Sequence, residues 1–447
     1  MEVTDFSKGS IKGNIMRLAV PMTLAQLINV LYNIVDRIYI GRMDGGSSLA
    51  LTGVGVCLPV ITVILAFANL IGMGGAPLFS IERGKKNQRE AELIQGNCFT
   101  LLILLGVILT IIGLLLKRPV LYLLGASDAT FPYANAYLTI YLFGNIFVLL
   151  SLGMNNFINA QGFGKTGMLT VAIGAGLNMI LDPVFIFVLN LGVRGAAIAT
   201  IISQCVAAVW TLHFLLGGRA VVRLKRNRLM PERKRVLKIM GLGVSGFTMA
   251  VTNSLVQMVC NASLQTYGGD VYVGVMTIIN SVREVVQMPV SGISSGAQPV
   301  MGYNYGAGRN DRVKKSITFM STVLILYTLG AWLLLFLFPR FFLGIFSSDQ
   351  AVLEVGVTCL HIYFFGFFMM ALQFAGQVTF TALGFSRRAV FFSIFRKVII
   401  VIPLALLLPH IADLGVFGVF LAEPVSNFIG GGVCFFTMMI TVYQKMK

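Results

Sequence analysis

The sequence predicts an all-α integral membrane protein: twelve transmembrane helices in two six-helix lobes related by a pseudo-two-fold axis along the membrane normal. Three observations carry this. The 447-residue chain is 57% hydrophobic and only 11% charged, with mean hydropathy +0.85, whereas a soluble domain carries about 25% charged residues. Twelve apolar runs reach the roughly 20 residues that a bilayer crossing needs. The second half of the chain also echoes the first at an offset of about 223 residues.

The spans read, in order, 15–41, 47–80, 92–116, 131–160, 167–190, 194–217, 237–267, 271–303, 313–339, 351–383, 388–410 and 415–443. Several exceed the minimum, which predicts tilt, kinks or extensions beyond the bilayer. No alternating segments of about ten residues, the mark of a membrane barrel, interrupt the pattern. Span one contains Pro21, which lacks a backbone donor and is expected to bend it. The organisation reads as a cytoplasmic N-terminus (1–14), an N-lobe of spans one to six (15–217), a basic cytoplasmic linker (218–236), a C-lobe of spans seven to twelve (237–443) and a cytoplasmic C-terminus (444–447). The N-terminus, MEVTDFSKGSIKGN, is polar and lacks the layout of a cleaved signal peptide.

The net charge of +17 is distributed as a topology signal and not as a nucleic-acid footprint. Lys and Arg crowd the loops on the side of the N-terminus, with nine in Arg219–Lys238 alone. The opposite loops hold Arg42, Lys117, Arg118, Arg194 and Arg340. This positive-inside bias places both termini in the cytoplasm, as an even number of spans requires, and adds attraction to anionic lipid. The six cysteines and three histidines are scattered with no metal or redox spacing.

Three matches in register carry the internal repeat. Ile15–Val20 (IMRLAV) resembles Ile239–Val244 (IMGLGV), Asn159–Lys165 echoes Thr381–Arg387, and Leu191–Gly195 matches Leu414–Gly418. Each half has six spans starting inside, so the halves are parallel repeats. That plan is used by transporters that bind substrate between the halves and rock one against the other.

Polar residues within these spans point to the chemistry. Asp182 lies in the apolar run Gly167–Asn190 and Asp36 in LYNIVDRIYIG; an acid at the bilayer centre costs roughly 2.5–3.5 kcal/mol on insertion scales. Asn178 lies four residues before Asp182 and so shares its helix face, while Tyr32 and Asn29 share the face of Asp36. Counting from the outer ends of their spans at 1.5 Å per residue, Asp36, Asp182 and Thr200 all sit about 9–12 Å below the outer face. Two carboxylates, an amide oxygen and a hydroxyl suit a hard cation such as Na⁺; the same carboxylates could instead take up protons. The equivalent positions of the second half are approximately Cys260 (for Asp36), Leu404 (for Asp182) and Glu423 (for Thr200). The buried acids expected there are Glu284, beside Arg283, and Glu423. They stand either as residues of a cavity for a cationic substrate or as members of structural pairs with Arg283, Arg396 or Lys397.

The segments Val20-Pro21, YNIVDRIYIG (32–41), NAQG (159–162), GLNMILDP (176–183), GAA (195–197) and GAQPVMGYNYGAG (296–308) together resemble the multidrug and toxic compound extrusion (MATE) family of the polysaccharide-flippase superfamily, essentially end to end. The similarity is greatest to the multidrug exporters of Gram-positive bacteria. The resemblance implies twelve helices in two lobes and cation-coupled efflux. It places an N-lobe cation site on Asp36, Asn178, Asp182 and Thr200, with Pro21 and Tyr32 at the family's first-span proline and tyrosine. A C-lobe ion site described for another branch finds no match: span seven has no acid, and Glu354 lies near the outer end of span ten.

The expectation is therefore a Na⁺- or H⁺-coupled antiporter, not an enzyme. It needs no cofactor beyond the coupling ion and exports organic cations or drugs across the bacterial cytoplasmic (plasma) membrane as a monomer. A lipid-linked sugar flippase of the same superfamily is the rival in mechanism and should show a cavity rich in Arg and Lys. A membrane-embedded enzyme is the rival in class and should show clustered His, Asp and Glu.

Overall fold

The computed structural model describes residues 3–42, 48–346, 350–411 and 414–446. It is helical throughout, with no strand among the described residues. In chain order the helices are α1 (Ile11–Gly41), α2 (Ser48–Gly84), α3 (Gln88–Leu123), α4 (Phe131–Ala160), α5 (Gly164–Pro183), α6 (Gly192–Leu216), α7 (Arg233–Gly306), α8 (Asn310–Leu337), α9 (Pro339–Gly344), α10 (Gln350–Phe364), α11 (Met369–Ala382), α12 (Ser386–Ile394), α13 (Ile402–Leu407), α14 (Gly415–Ser426) and α15 (Gly432–Met438).

Ten helical runs are long and apolar enough to cross a bilayer on their own. Two features raise them to twelve. The 74-residue α7 contains Gly269 at φ 70°, ψ −167°, a backbone open in practice only to glycine, which separates 233–268 from 270–306 as two spans. Helices α10 and α11 form one further span, bent by 47° at a break where Gly366 has φ 69°. Spans eleven and twelve are helices interrupted by wide π turns at Phe395–Val401, Asn427–Gly431 and Met439–Tyr443. Helix α1 runs through Pro21 without interruption.

The chain forms two compact units: Met1–Asp5 with Val20–Gly243, and Phe6–Ala19 with Val244–Lys447. Two of the three divisions fall inside helices, at 19/20 in α1 and 243/244 in α7, which are equivalent positions of the internal repeat. In the first unit α4 is the most buried span and packs against α2, α3, α5 and α6. Small residues permit this, since a bilayer supplies no hydrophobic drive between helices and close backbone approach replaces it. A Cβ on Gly72 of α2 would stand 2.9 Å from the Gly153 carbonyl of α4. By contrast α3 turns Leu104, Val107, Ile111 and Leu115 outward, as a lipid-facing helix does.

The basic linker is bound to the first unit. Arg235 forms a fork on Glu90, Nε to Oε1 at 2.8 Å and Nη2 to Oε2 at 3.0 Å. Lys225 donates to Glu92 at 2.6 Å. Asn97 and Thr100 donate to the Met230 and Leu229 carbonyls. Gln161 exchanges two hydrogen bonds with the Val222 backbone. Part of the charge read from sequence as a topology signal thus also holds the linker in place.

Candidate cation site

All of the site lies in the first unit. On α5, Asn178 and Asp182 are one turn apart and buried, 2% and 0% exposed. Asn178 Nδ2 donates to Asp182 Oδ1 at 3.2 Å and to Thr200 Oγ1 of α6 at 3.3 Å. The Thr200 hydroxyl donates to the Ala196 carbonyl at 3.0 Å. Asp36, half-buried on α1, lies beside Asp182. The structure therefore brings Asp36, Asn178, Asp182 and Thr200 together from three separate helices.

Proline shapes the far edge. Pro183 cannot donate to the turn behind it, and the chain widens into a π turn at Val184–Val188, closed by Leu189 N–H to the Val184 carbonyl at 2.9 Å. Wide turns of this kind are frequent at functional sites.

Two acceptor oxygens, Asp182 Oδ2 and Asn178 Oδ1, are buried with no hydrogen-bond donor among the described residues. Asp182 makes no ion pair with Lys or Arg among the described residues. Oxygen acceptors left without donors away from water are costly, and this set of hard oxygens matches what Na⁺ accepts. Among the described residues, no three His, Cys, Asp or Glu side chains converge as they would for a tightly bound transition metal.

Tyr32 of α1 and Tyr137 of α4 both lie against the Thr200 side chain, and Tyr137 stacks on Tyr141 with ring centroids 6.2 Å apart. Tyr137 is a site neighbour that sequence reasoning missed; span four carries no acid, so nothing marked its phenol. The site forms one wall of a cavity of about 660 Å³ lined by Asn29, Tyr32, Asp36, Tyr137 and Thr200, and also by Asn155 and Gln204. That is within the roughly 300–1,000 Å³ typical of ligand pockets. Asn29 is exposed in this space and its carbonyl accepts from Asn33 Nδ2 at 2.7 Å. Pro21 is buried on the same helix, just over four turns from Asp36.

In the second unit Glu423 and Glu284 have different settings. Glu423 is buried and fully engaged: Oε1 accepts from Arg396 Nη1 and Lys397 Nζ, each at 2.9 Å, and Oε2 accepts from Lys397 at 3.1 Å. Glu284 is exposed and lines neither of the two small chambers beside Glu423.

Comparison with known proteins agrees with this architecture. The MatE family model matches twice, over residues 21–184 and 245–407, one copy in each half. The chain is similar to the multidrug export protein MepA of Staphylococcus aureus (strain NCTC 8325 / PS 47), with 26% identity over 443 residues, 98% of this chain and 95% of that protein. It is similar also to MepA of Staphylococcus saprophyticus, with 25% identity covering 89% and 87%. Its fold matches the outward-facing conformation of a multidrug resistance MATE family transporter of the MOP superfamily, with TM-score 0.92, 23% identity and coverage of 100% and 99%. A MATE in the bent conformation gives the same score at 24% identity, covering 98% and 97%. Two matches to one model, in order and across most of the chain, make this protein a member of the MatE family, that of the multidrug and toxic compound extrusion transporters.

Proposed function

We propose that the protein is a cation-coupled antiporter that exports amphipathic, cationic organic compounds across the bacterial cytoplasmic membrane by alternating access. The observation that supports this most is Asp182: fully buried, beside a second acid, with an acceptor oxygen that no donor among the described residues reaches, close behind the wall of a cavity large enough for a drug. A carboxylate pair in that position has two ways to lower its cost, a bound cation or a proton. Either changes the charge that the cavity presents to a cationic substrate. Binding of Na⁺ or H⁺ from outside neutralises the pair and favours release of the substrate; loss of the ion to the cytoplasm restores the negative charge and favours rebinding. Antiport follows from this competition, with both termini cytoplasmic and one chain sufficient.

The test is efflux from proteoliposomes with Na⁺ and pH gradients imposed independently. Export driven by one of the two gradients in the parent protein, and lost in Asp36→Asn and Asp182→Asn, is the expected outcome. Normal coupling in both variants would overturn the scheme. The flippase alternative needs a basic cavity for a diphosphate. The chambers beside Arg283, Arg396 and Lys397 measure only about 30 and 20 Å³, which disfavours it.

A further inference from the structure

Asn159 opens the NAQG segment (159–162), and the cation cycle above gives it no role. It stands at the end of a column of polar side chains that lies wholly within the first unit. The column starts at the acid pair, where Asn178 reaches Thr200 of α6 at 3.3 Å. Gln204 follows Thr200 by one turn of α6, and Ser151 of α4 donates to Gln204 Oε1 at 2.7 Å. Asn155 and Asn159 follow Ser151 on successive turns of α4. Asn155 Nδ2 donates to the Gly167 carbonyl of α5 at 3.1 Å. Gly167 precedes Asp182 by fifteen residues on that helix, so the column extends about 22 Å at 1.5 Å per residue. That is most of the roughly 30 Å of a bilayer core. Its far end is the end of the unit that carries the linker, where Gln161 holds Val222.

Polar side chains between membrane helices often do no more than hold those helices together. A network with only that role satisfies its oxygens, and this one does not. Asn155 and Asn159 are each 8% exposed, yet Asn155 Oδ1 and Asn159 Oδ1 are buried with no hydrogen-bond donor among the described residues. Asn178 Oδ1 is in the same condition at the start of the column. The donors are spent inside the protein: Asn178 Nδ2 on Asp182 and Thr200, Asn155 Nδ2 on the Gly167 carbonyl, the Thr170 hydroxyl on the Thr166 carbonyl. What remains along the column is a series of oxygen acceptors. Such oxygens are costly away from water, and a hard cation or a water-borne proton is what they accept.

The large cavity covers only part of the column. Thr200, Gln204, Ser151 and Asn155 line it, and Asn159 is not among its lining residues. Asn159 lies one turn of α4 beyond Asn155, where a Cβ on Gly167 would run into Asn159 Oδ1; glycine there leaves the oxygen uncovered. Arg83 also stands at this end and donates to the Ala160 carbonyl at 2.7 Å. Its charge repels a cation that stays, so this end suits passage and not storage.

We infer that this column is the route by which the coupling cation leaves the acid pair toward the linker side, with Asn159 as the transit ligand beyond the cavity. The inference rests on the antiporter reading above and adds the path to it.

The first test uses Asn159→Cys in the full-length protein in nanodiscs. Methanethiosulfonate ethylammonium is compared with the anionic ethylsulfonate reagent, each relative to its rate with a free thiol, by the mass of the peptide that carries residue 159. The cationic reagent should react about ten-fold faster, since a lining of acceptors concentrates cations. No modification by either reagent, or equal relative rates, overturns the route. The second test is gradient-driven efflux in proteoliposomes. Asn159→Leu removes the oxygen and Gly167→Ala covers it, and each should lower maximal turnover about ten-fold while the driving-ion concentration for half-maximal efflux stays within about two-fold of the parent, because the acid pair is untouched. Asn159→Thr returns an oxygen and should recover turnover, a rescue that a purely structural role does not predict. Parent-like turnover in Asn159→Leu overturns the inference, as does a loss that Asn159→Thr fails to relieve. If Gly167→Ala does not fold, the two Asn159 variants decide. If the parent exports nothing under either gradient, the antiporter reading fails, and the labelling comparison still judges the column.

Discussion

Asp182 and Thr200 make contributions to the candidate site that can be separated experimentally. A proton needs only a carboxylate, whereas Na⁺ needs several oxygens at once. Thr200→Val keeps the side-chain volume and removes the hydroxyl that joins Asn178 to α6. If Na⁺ is the driving ion, this variant should need about ten-fold more Na⁺ for half-maximal efflux, a loss of about 1.4 kcal/mol; if protons drive export, the pH dependence should stay near that of the parent. Asp36→Asn and Asp182→Asn should abolish gradient-driven efflux in either case. Four of the residues at this site were legible from the chain itself, because i,i+4 spacing and distance from the span ends are one-dimensional quantities. Tyr137 was not: a phenol on a span without an acid has no spacing to betray it, and its role appears only when α4 packs beside α1 and α6.

At the scale of the element, the same contrast separates what a sequence can and cannot convey. Apolar runs set the positions of the spans, and the loop expected between spans seven and eight falls at Gly269. The π turns at Phe395–Val401 and Asn427–Gly431 leave no trace in hydropathy, so the convergence of Arg396 and Lys397 on Glu423 was visible only as one of two open alternatives. The linker is a further case. Its basic residues read as a charge pattern, yet Gln161 and the Glu90–Arg235 fork decide where it lies. Gln161→Leu removes both hydrogen bonds to Val222 and leaves that backbone pair unsatisfied, which costs about 1–3 kcal/mol. Trypsin should therefore cut within Arg219–Arg228 faster in this variant than in the parent, with the transmembrane fragments intact; equal cleavage rates would show that the contact does not anchor the segment. Helix packing yields a sharper loss. In Gly144→Leu even the first added carbon would stand 2.3 Å from Ile201 of α6, and overpacking of this kind costs about 1–3 kcal/mol, read as a lower melting midpoint in nanodiscs.

Across the whole molecule, the two repeats place their buried charge differently: Asp36 and Asp182 lie together in the first, and Glu423 lies with Arg396 and Lys397 in the second. Where the first half places Asp36 and Thr200, the second has approximately Cys260 and Glu423, and Cys260 borders the same small chamber as Arg283 and Lys397. In the first unit Asp182 makes no ion pair with Lys or Arg among the described residues, whereas in the second Glu423 pairs with Arg396 and Lys397. The physical consequence is that neutralising an acid should act in opposite directions on stability in the two units. Asp182→Asn replaces a buried carboxylate lacking a cationic partner by a neutral amide of the same shape, which relieves like-charge repulsion with Asp36. Its melting midpoint should equal or exceed that of the parent even though coupling is lost. Glu423→Gln removes the carboxylate that Arg396 and Lys397 both contact and leaves buried charge uncompensated, a change that costs about 3–5 kcal/mol, so its midpoint should fall well below that of the parent. A matched pair of melting curves decides the matter. If Asp182→Asn melts as low as Glu423→Gln, the first-unit acid is a structural partner and not a charge waiting for an ion.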